Sequence, residues 1–147
     1  MSTERKTLRA DLLAAVATAR SAHAPLAGCA IISAWTLALD PSALPVIGVS
    51  VPTERRDPAA QDTIAQDFQA VVVVKMTHKG GDGPQIEDAL DDAAEALADP
   101  IEMALMTTTR AVALVSSAID ITGQGSTRVG TLTLTFGVQT WRARITP

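Results

Sequence analysis

The side chains that most often perform catalysis are few in this sequence. Its histidines are His23 and His78, and its one cysteine is Cys29. His23 follows a predicted helix and His78 a predicted strand, and neither has the Glu-x-x-His or paired-His spacing of a metal site. An acid–base residue also needs an oriented partner, which the sequence does not suggest for either histidine. Cys29 lies between Gly28 and Ala30, so we interpret it as a buried thiol rather than a nucleophile.

Three carboxylates, Asp88, Asp91 and Asp92, have a spacing that brings oxygen ligands together on adjacent turns of a helix. The calcium-loop pattern is absent, however, and no second acidic cluster supplies the opposing ligands that a divalent cation requires. We therefore interpret these residues as part of a solvated acidic surface, and we expect neither a metal nor another cofactor.

The glycine-rich segment HKGGDGP, residues 78–84, stands between a strand and a helix, as phosphate-binding loops do. It lacks the Gly-Lys-Ser/Thr ending and the Gly-x-Gly-x-x-Gly spacing of such loops. Glu87 and Asp88 would also place negative charge beside a bound phosphate. A tight turn that starts the helix is the better interpretation.

The segment from Pro84 to Leu97 predicts an amphipathic helix around which the rest of the chain is arranged. Its apolar residues recur at three- and four-residue steps, as Ile86, Leu90, Ala93, Ala94 and Leu97. The remaining surface is acidic and has no basic counterpart on the helix. Arginines elsewhere in the chain are suited to meet it in a neighbouring copy, which predicts a head-to-tail contact that closes into a ring where the rotation allows. The residues expected in such a contact are Arg55, Arg56 and Arg128 on one side and Glu87, Asp91 and Glu95 on the other.

Composition argues against several other classes of protein. The chain has 147 residues and 47% hydrophobic content, enough for one core, so residues 1–147 are expected to form a single domain. A net charge of −4 argues against general binding to nucleic acid, and the basic cluster from Arg5 to Arg9 belongs to no recognition motif. No apolar run approaches the roughly 20 residues that span a bilayer. A single thiol forms no internal disulfide, which suits a reducing compartment.

The first half of the chain predicts one helix and three strands. Residues 4–22 form an amphipathic helix, and residues 30–39 and 46–51 form two strands separated by a proline-containing turn. Residues 53–66 mix both charges with few large apolar side chains, so we expect an exposed and mobile excursion there. The alternation in residues 68–77 suits a central strand.

The second half predicts helix and then strand. Asp99 precedes Pro100, so the acidic helix is expected to end there, and a short second helix with Asp99 and Glu102 as a capping box runs through Met106. Residues 112–122 are ambiguous, and a strand is favoured over their second half. From Val129 onward the alternation predicts a half-buried antiparallel strand. The fold class is therefore α+β: a mainly antiparallel sheet of about five strands, with the N-terminal helix and the central acidic helix on one face.

Several segments together resemble one family of proteins. The opening LRADLLAAVATA helix, the segment PVIGVSVPTERRD, and FQAVVVVKM followed by an acidic helix resemble the tail terminator proteins of long-tailed, siphovirus-type bacteriophages, which include minor tail protein U. The ending ITGQGSTRVGTLTLTFGVQTW is also similar to that family, whose last strand commonly has Val-Gly-x-Leu-Thr-Leu-Thr before an aromatic residue. The likeness spans nearly the whole chain and depends on element order and pattern, not on a catalytic signature.

The resemblance implies a structural protein without enzymatic activity. Proteins of that family form a ring of six subunits at the head-proximal end of the virion tail, which caps the tube, stops its polymerisation and presents a surface for head attachment. The implied partners are other copies of the chain, the major tail tube protein and the head completion or connector proteins, with DNA only as passing cargo and no membrane. The residues expected at ring or tube contacts are Arg55, Arg56, Asp57, Glu87, Asp91, Glu95, Gln124 and Arg128.

Three alternatives remain open from the sequence. A different head–tail connector or tail completion protein would share the structural role. A small α+β enzyme or ligand-binding regulator would use the HKGGDGP turn and the carboxylates of Asp88, Asp91 and Asp92. A stand-alone dimeric interaction module would keep its dimer after charge reversal at Arg55 and Arg56, whereas a ring would not.

Overall fold

The structure is a computed structural model that describes residues 3–33, 45–60, 63–77, 83–123 and 128–143. The α+β prediction is confirmed, as is the order of helix, three strands, helix and two strands. The elements are α1 (Thr3–Ser21), a short 3-10 helix (Ala24–Leu26), β1 (Ala30–Ser33), β2 (Val46–Ala60), β3 (Thr63–Thr77), α2 (Gly83–Leu105), β4 (Arg110–Thr122) and β5 (Val129–Ala143).

The five strands form one sheet in the order β1-β2-β3-β5-β4. β1 is parallel to β2, and the other three pairings are antiparallel, so β2, β3, β5 and β4 alternate in direction. Residues in direct register form rows across these four strands, and one such row is Arg56, Gln66, Thr140 and Arg110. This row lies towards the end of the sheet where β2 leads into β3, and we name that end of the sheet the hairpin end.

Both helices pack on one face of the sheet, over a continuous apolar core. Alternate residues of β3 and β5 point into this core, and Leu132, Leu134 and Phe136 are fully buried. Burial of each such side chain contributes about 1.5–3 kcal/mol. α1 contributes Leu8, Leu12 and Val16 and lies over β2 and β3, whereas α2 lies mainly over β5 and β4.

The predicted excursion at residues 53–66 is wrong, because its described residues, 53–60 and 63–66, belong to the long strands β2 and β3. Its charged side chains pair with neighbouring groups while Arg55 and Arg56 stay exposed. Gln66 Nε2 donates a hydrogen bond to Glu54 Oε1 at 2.6 Å, and Arg56 Nε lies 3.1 Å from the same oxygen. The third strand therefore begins at Thr63, and β5 pairs along its whole length.

The predicted helix break at Asp99 is also wrong. α2 continues through Pro100 to Leu105 as a single helix. Ile101 and Leu105 follow Leu97 at four-residue steps and are fully buried, so they extend the core-facing stripe past the proline. The burial of these two side chains offsets the backbone hydrogen bond that a proline cannot donate.

Two other predictions have different outcomes. The ambiguous segment at residues 112–122 is strand throughout, within β4, with a register shift between Leu114 and Ser116. The strand predicted at residues 30–39 is present as Ala30–Ser33, and its remainder lies outside the described residues.

Gly130 is a point of close approach between α2 and β5. A Cβ atom on Gly130 would overlap Ile86 Cγ2 and would lie 2.7 Å from Leu90 Cδ1. Gly137, on the same strand, lacks such a restriction, because its Cβ atom would meet mainly Val115 Cγ2 at 2.9 Å. Val115 is 65% exposed, so its side chain has room to move.

We expect Gly130→Ala to lower the free energy of unfolding by about 1–3 kcal/mol, because the added methyl overpacks the contact between α2 and β5. Gly137→Ala is the matched control on the same strand, and it should change stability by less than about 0.5 kcal/mol. Urea denaturation followed by circular dichroism measures both values. Equal losses in the two variants would show that α2 is not closely packed on Gly130.

Candidate assembly surface

The acidic surface of α2 is directed towards the β4 edge of the sheet. We name Glu87, Asp91, Glu95 and Glu102 the acidic stripe, because their spacing places them on one side of the helix. Glu102 Oε2 accepts a hydrogen bond of 3.1 Å from the backbone N–H of Leu114 in β4, which fixes the direction of that side. Pro100 and Ala104, on the other side of α2, line a groove of about 370 Å³ against α1.

The carboxylates of α2 are concentrated on a helix that has no basic residue. The helix holds seven of the sixteen acidic residues of the chain and none of its twelve basic residues. Glu87, Asp91 and Glu95 are exposed, and among the described residues none of the ion pairs includes a side chain of α2. Like charges at four-residue spacing cost about 0.2–0.5 kcal/mol per pair, so a partner of opposite charge would relieve this repulsion.

The opposite side of the helical layer is basic. Asp11, Ala14 and Thr18 of α1 line the groove against α2. Lys6 and Arg9 lie on the far side of α1, away from α2 and towards β2, and both are exposed. The helical layer is therefore acidic on the β4 side, where α2 lies, and basic on the β2 side, where α1 lies.

β2 places Arg55 and Arg56 on the same side of the protein, each beside a carboxylate of its own strand. Arg55 is 78% exposed, and its Nε lies 3.3 Å from Asp57 Oδ2 at the protein surface. Arg56 is held more closely, because Glu54 accepts its hydrogen bond and also lies 3.6 Å from Arg5 of α1. Arg55 is thus the arginine of β2 that is best placed to meet another molecule.

The predicted contact residues fall on two separate surfaces. Arg55, Arg56 and Asp57 lie together on β2, while Glu87, Asp91 and Glu95 lie together on α2. Within one copy these groups are at opposite edges, as a head-to-tail contact requires. Arg128 lies half-exposed just before β5, and Gln124 is outside the described residues.

A buried arginine ties the two helices to the sheet at the hairpin end. Arg110 Nη1 donates hydrogen bonds to Asp11 Oδ2 at 3.0 Å and to the carbonyl oxygen of Leu105 at 3.2 Å. The Arg110 side chain is 8% exposed, so it depends on these acceptors for compensation of its charge. The contact brings the first half of α1 and the C-terminus of α2 to the same height.

The remaining candidates are the residues considered for metal binding and acid–base chemistry. Asp88, Asp91 and Asp92 are exposed, and no group of three or more His, Cys, Asp or Glu side chains in the described ranges is arranged to hold a metal ion. His23 is half-buried beside the 3-10 helix. His78 and residues 78–82 of the glycine segment lie outside the described residues.

Cys29 is a free, half-buried thiol just before β1. Burial raises its pKa above the ordinary value of 9.0, and the positive charge of Arg20 and a backbone hydrogen bond act in the opposite direction. A raised pKa keeps the thiol protonated near neutral pH, and a protonated thiol is a weak nucleophile.

A depression of about 410 Å³ lies on the sheet face opposite the helices. Its lining includes Ala113 and Val115 of β4, Gly137 and Gln139 of β5, and Asp67 of β3. Asp67 is the one titratable group in this lining, so the depression lacks the paired groups that acid–base chemistry requires.

Sequence reasoning missed the roles of Asp11, Glu54 and Glu102. In the sequence each is an ordinary surface carboxylate, but in the folded protein it binds a group that is distant in sequence, as the contact between Asp11 and Arg110 shows. The helical spacing of Glu102 from Glu95 was the available signal, and it was hidden by the expected break at Pro100.

No protein-family model matches the chain, and no curated protein matches it either. Among the described residues, neither helix has the length and apolar character needed to cross a bilayer.

We expect Asp11→Asn to lower the free energy of unfolding by about 1–2 kcal/mol, because buried Arg110 loses its charged acceptor. The loss is limited because the Asp11 side chain is itself about half exposed to water, which weakens the ion pair. Asp88→Asn removes an exposed carboxylate of α2 and is the matched control, with a change within about 0.5 kcal/mol. Urea denaturation measures both variants, and equal stability of Asp11→Asn and the unmodified protein would contradict the role given to this ion pair.

We expect alkylation of Cys29 by iodoacetamide to be slower in the folded protein than in urea, because the raised pKa reduces the thiolate fraction. The same shift makes the free energy of unfolding depend on pH, because the folded state disfavours the thiolate. The contribution of the protonated thiol is complete at low pH and is lost as pH rises past 9.0 towards the higher pKa of the folded state. Cys29→Ala should lack this part of the alkaline decline in urea denaturation. Identical alkylation rates in folded and unfolded protein would be inconsistent with the shift.

Proposed function

We propose that this protein is a structural component of a bacteriophage tail, most closely a tail terminator that works by docking identical copies into a ring. In this role it caps the tail tube, stops its polymerisation and provides the surface for head attachment. Its partners are then further copies of itself, the major tail tube protein and the head completion or connector proteins. It acts in the virion, at the head-proximal end of the tail, after synthesis in the bacterial cytoplasm.

The observation that carries the proposal is the separation of charge between the two edges of the sheet. The acidic stripe of α2 lies along the β4 edge, and Lys6, Arg9 and Arg55 lie on the opposite, β2 side of the protein. Complementary surfaces at opposite sides of one subunit favour a heterologous contact, which repeats until it closes. The element order on which the family resemblance depends is a second, independent support.

The positions of these residues along the sheet also indicate which charges would meet in the proposed contact. Glu87 and Glu102 are separated by about 22 Å along the helix, at a rise of 1.5 Å per residue. The contacts of Arg5 with Glu54 and of Arg110 with Leu105 place the basic residues and the C-terminal half of α2 at the hairpin end. When neighbouring copies stand level along the strand direction, Arg55 of one copy therefore lies towards Glu95 and Glu102 of the next. Glu87 then lies at the opposite end of the contact.

An acidic chain suits a ring through which DNA passes. Seven carboxylates on one helix contribute to the overall charge of −4, and negative surface repels the phosphate backbone. DNA is then cargo in transit and not a ligand.

Light scattering coupled to size-exclusion chromatography, followed by electron microscopy with purified tail tubes, tests this function. The expected result is a closed oligomer of defined mass that binds tube ends and halts their growth. A protein that stays monomeric at all concentrations and leaves tubes unbound and growing would refute the proposal.

We expect Arg55→Glu to shift the oligomer to monomer, because a carboxylate would then face the acidic stripe and like charges across an interface cost several kcal/mol. Lys75→Glu is the matched control, since it makes the same change of charge on the central strand β3. Adding Glu95→Arg to Arg55→Glu should restore the oligomer. Circular dichroism checks that each variant is folded, and an oligomer unaffected by Arg55→Glu would place the contact elsewhere.

A further inference from the structure

Three large apolar side chains are exposed on the helical layer, and we name Leu13, Met103 and Met106 the apolar anchors. Leu13 of α1 is 39% exposed, Met103 of α2 is 73% exposed, and Met106, directly after α2, is 47% exposed. Single exposed apolar residues are common on protein surfaces, so their position decides whether they have a role. Each apolar anchor lies beside one of the two charged surfaces of the helical layer.

Leu13 lies on the basic side of α1. It follows Arg9 by four residues and Lys6 by seven, a spacing that places the three side chains on one side of the helix. Asp11 and Ala14 instead line the groove against α2. The apolar side chain of Leu13 is therefore exposed between positive charges and directed away from α2.

The two methionines lie beside the acidic stripe, near the C-terminus of α2. Met106 follows Glu102 by four residues, and its backbone N–H donates a hydrogen bond of 3.2 Å to the carbonyl oxygen of Glu102. The helical turn thus continues to Met106, on the side of the acidic stripe. Met103 follows Asp99 by four residues and is next to Glu102 in the chain. Methionine is flexible and polarisable, so it adapts well to an irregular apolar partner.

The apolar anchors of the two sides stand at the same height. One buried arginine side chain binds both Asp11 of α1 and the carbonyl oxygen of Leu105 in α2, which makes these two residues level. Leu13 is two residues from Asp11, or about 3 Å along the helix, and Met103 and Met106 are within two residues of Leu105. When neighbouring copies stand level, Leu13 of one copy is therefore at the height of the two methionines of the next.

Charge complementarity indicates that each surface is occupied by a second copy of the chain. Leu13 is surrounded by positive charge and the methionines by negative charge, so a contact between two α1 surfaces or two α2 surfaces would bring like charges together. A head-to-tail contact instead pairs opposite charges around an apolar centre. Protein interfaces commonly have this arrangement, in which a few desolvated side chains supply most of the affinity and the polar rim excludes water.

The magnitudes also favour an apolar centre over charge alone. Exposed ion pairs contribute little to affinity, because water and salt screen them. Burial of one Leu or Met side chain at an interface strengthens binding by on the order of 10- to 100-fold. A ring interface held by the charged residues alone would therefore be weak.

We infer that Leu13 of one copy packs against Met103 and Met106 of the next copy, and that this contact between helical layers is the apolar centre of the ring interface. The inference rests on the proposed function, since it names the residues that supply affinity where the copies dock. The acidic stripe and the basic side of α1 then determine which surfaces meet.

Light scattering coupled to size-exclusion chromatography, over a range of protein concentrations, tests the inference in the full-length protein. Leu13→Ala, Met103→Ala and Met106→Ala each remove apolar contact without changing charge or helix propensity greatly. We expect Leu13→Ala, and the two methionine changes combined, to raise the concentration needed for half assembly by on the order of 10- to 100-fold. Val115→Ala is the matched control, because Val115 is exposed on the sheet face opposite the helices, and it should leave that concentration unchanged. Circular dichroism checks the fold of each variant.

Mixing two variants tests the direction of the contact. Copies with Leu13→Ala keep an intact α2 surface, and copies with both Met103→Ala and Met106→Ala keep an intact α1 surface. At the highest concentration at which each variant alone is monomeric, an equimolar mixture should form a dimer through these two intact surfaces. A mixture that stays monomeric would overturn the inference, because a head-to-tail contact needs only one intact surface from each copy.

Salt separates an apolar centre from a purely charged contact. Raising NaCl from about 0.1 M to about 1 M shortens the screening length from about 10 Å to about 3 Å. The unmodified oligomer should persist at the higher concentration of salt. Its dissociation there, or unchanged assembly of Leu13→Ala, would overturn the inference and leave the proposed function standing. Monomers of the unmodified protein at every protein and salt concentration would overturn both.

Discussion

The packing of α2 against β5 is the constraint on which the surface of this protein depends. Ile86 and Leu90 fit against Gly130, and Ile101 and Leu105 continue the buried stripe beyond Pro100. Once this stripe is fixed in the core, the rotation of the helix is determined and its carboxylates have only outward directions left. The acidic stripe along β4 is therefore a consequence of core packing, as much as of the number of acidic residues.

Periodicity in the sequence was sufficient for the fold class but not for the ends of the elements. The alternation of β5 and the apolar stripe of α2 depend on neighbours close in sequence, and both predictions were correct. The strands at residues 53–66 were missed because Glu54 is stabilised by Arg5, Arg56 and Gln66, which meet only in the folded sheet. The helix break predicted before Pro100 was wrong for the same reason, since the burial of Ile101 and Leu105 outweighs a local preference for a break.

The candidate surface was predictable as a set of residues but not as a geometry. Spacing alone put Glu87, Asp91 and Glu95 on one side of a helix and grouped Arg55 with Arg56. It gave no means of knowing that the two groups lie at opposite edges, because that depends on the position of β4 outside β5. The contact of Glu102 with Leu114 supplies the missing orientation. In the proposed ring, charge that is costly within one subunit would become favourable between subunits.

The missing side chain at Gly130 has a consequence for how this sequence can vary. A Cβ atom there would enter the space that Ile86 and Leu90 occupy. Volume added at position 130 therefore requires volume removed at position 86 or 90, because a close-packed interior has no spare room. These three positions, distant in sequence, would be expected to change together in any chain that keeps this packing.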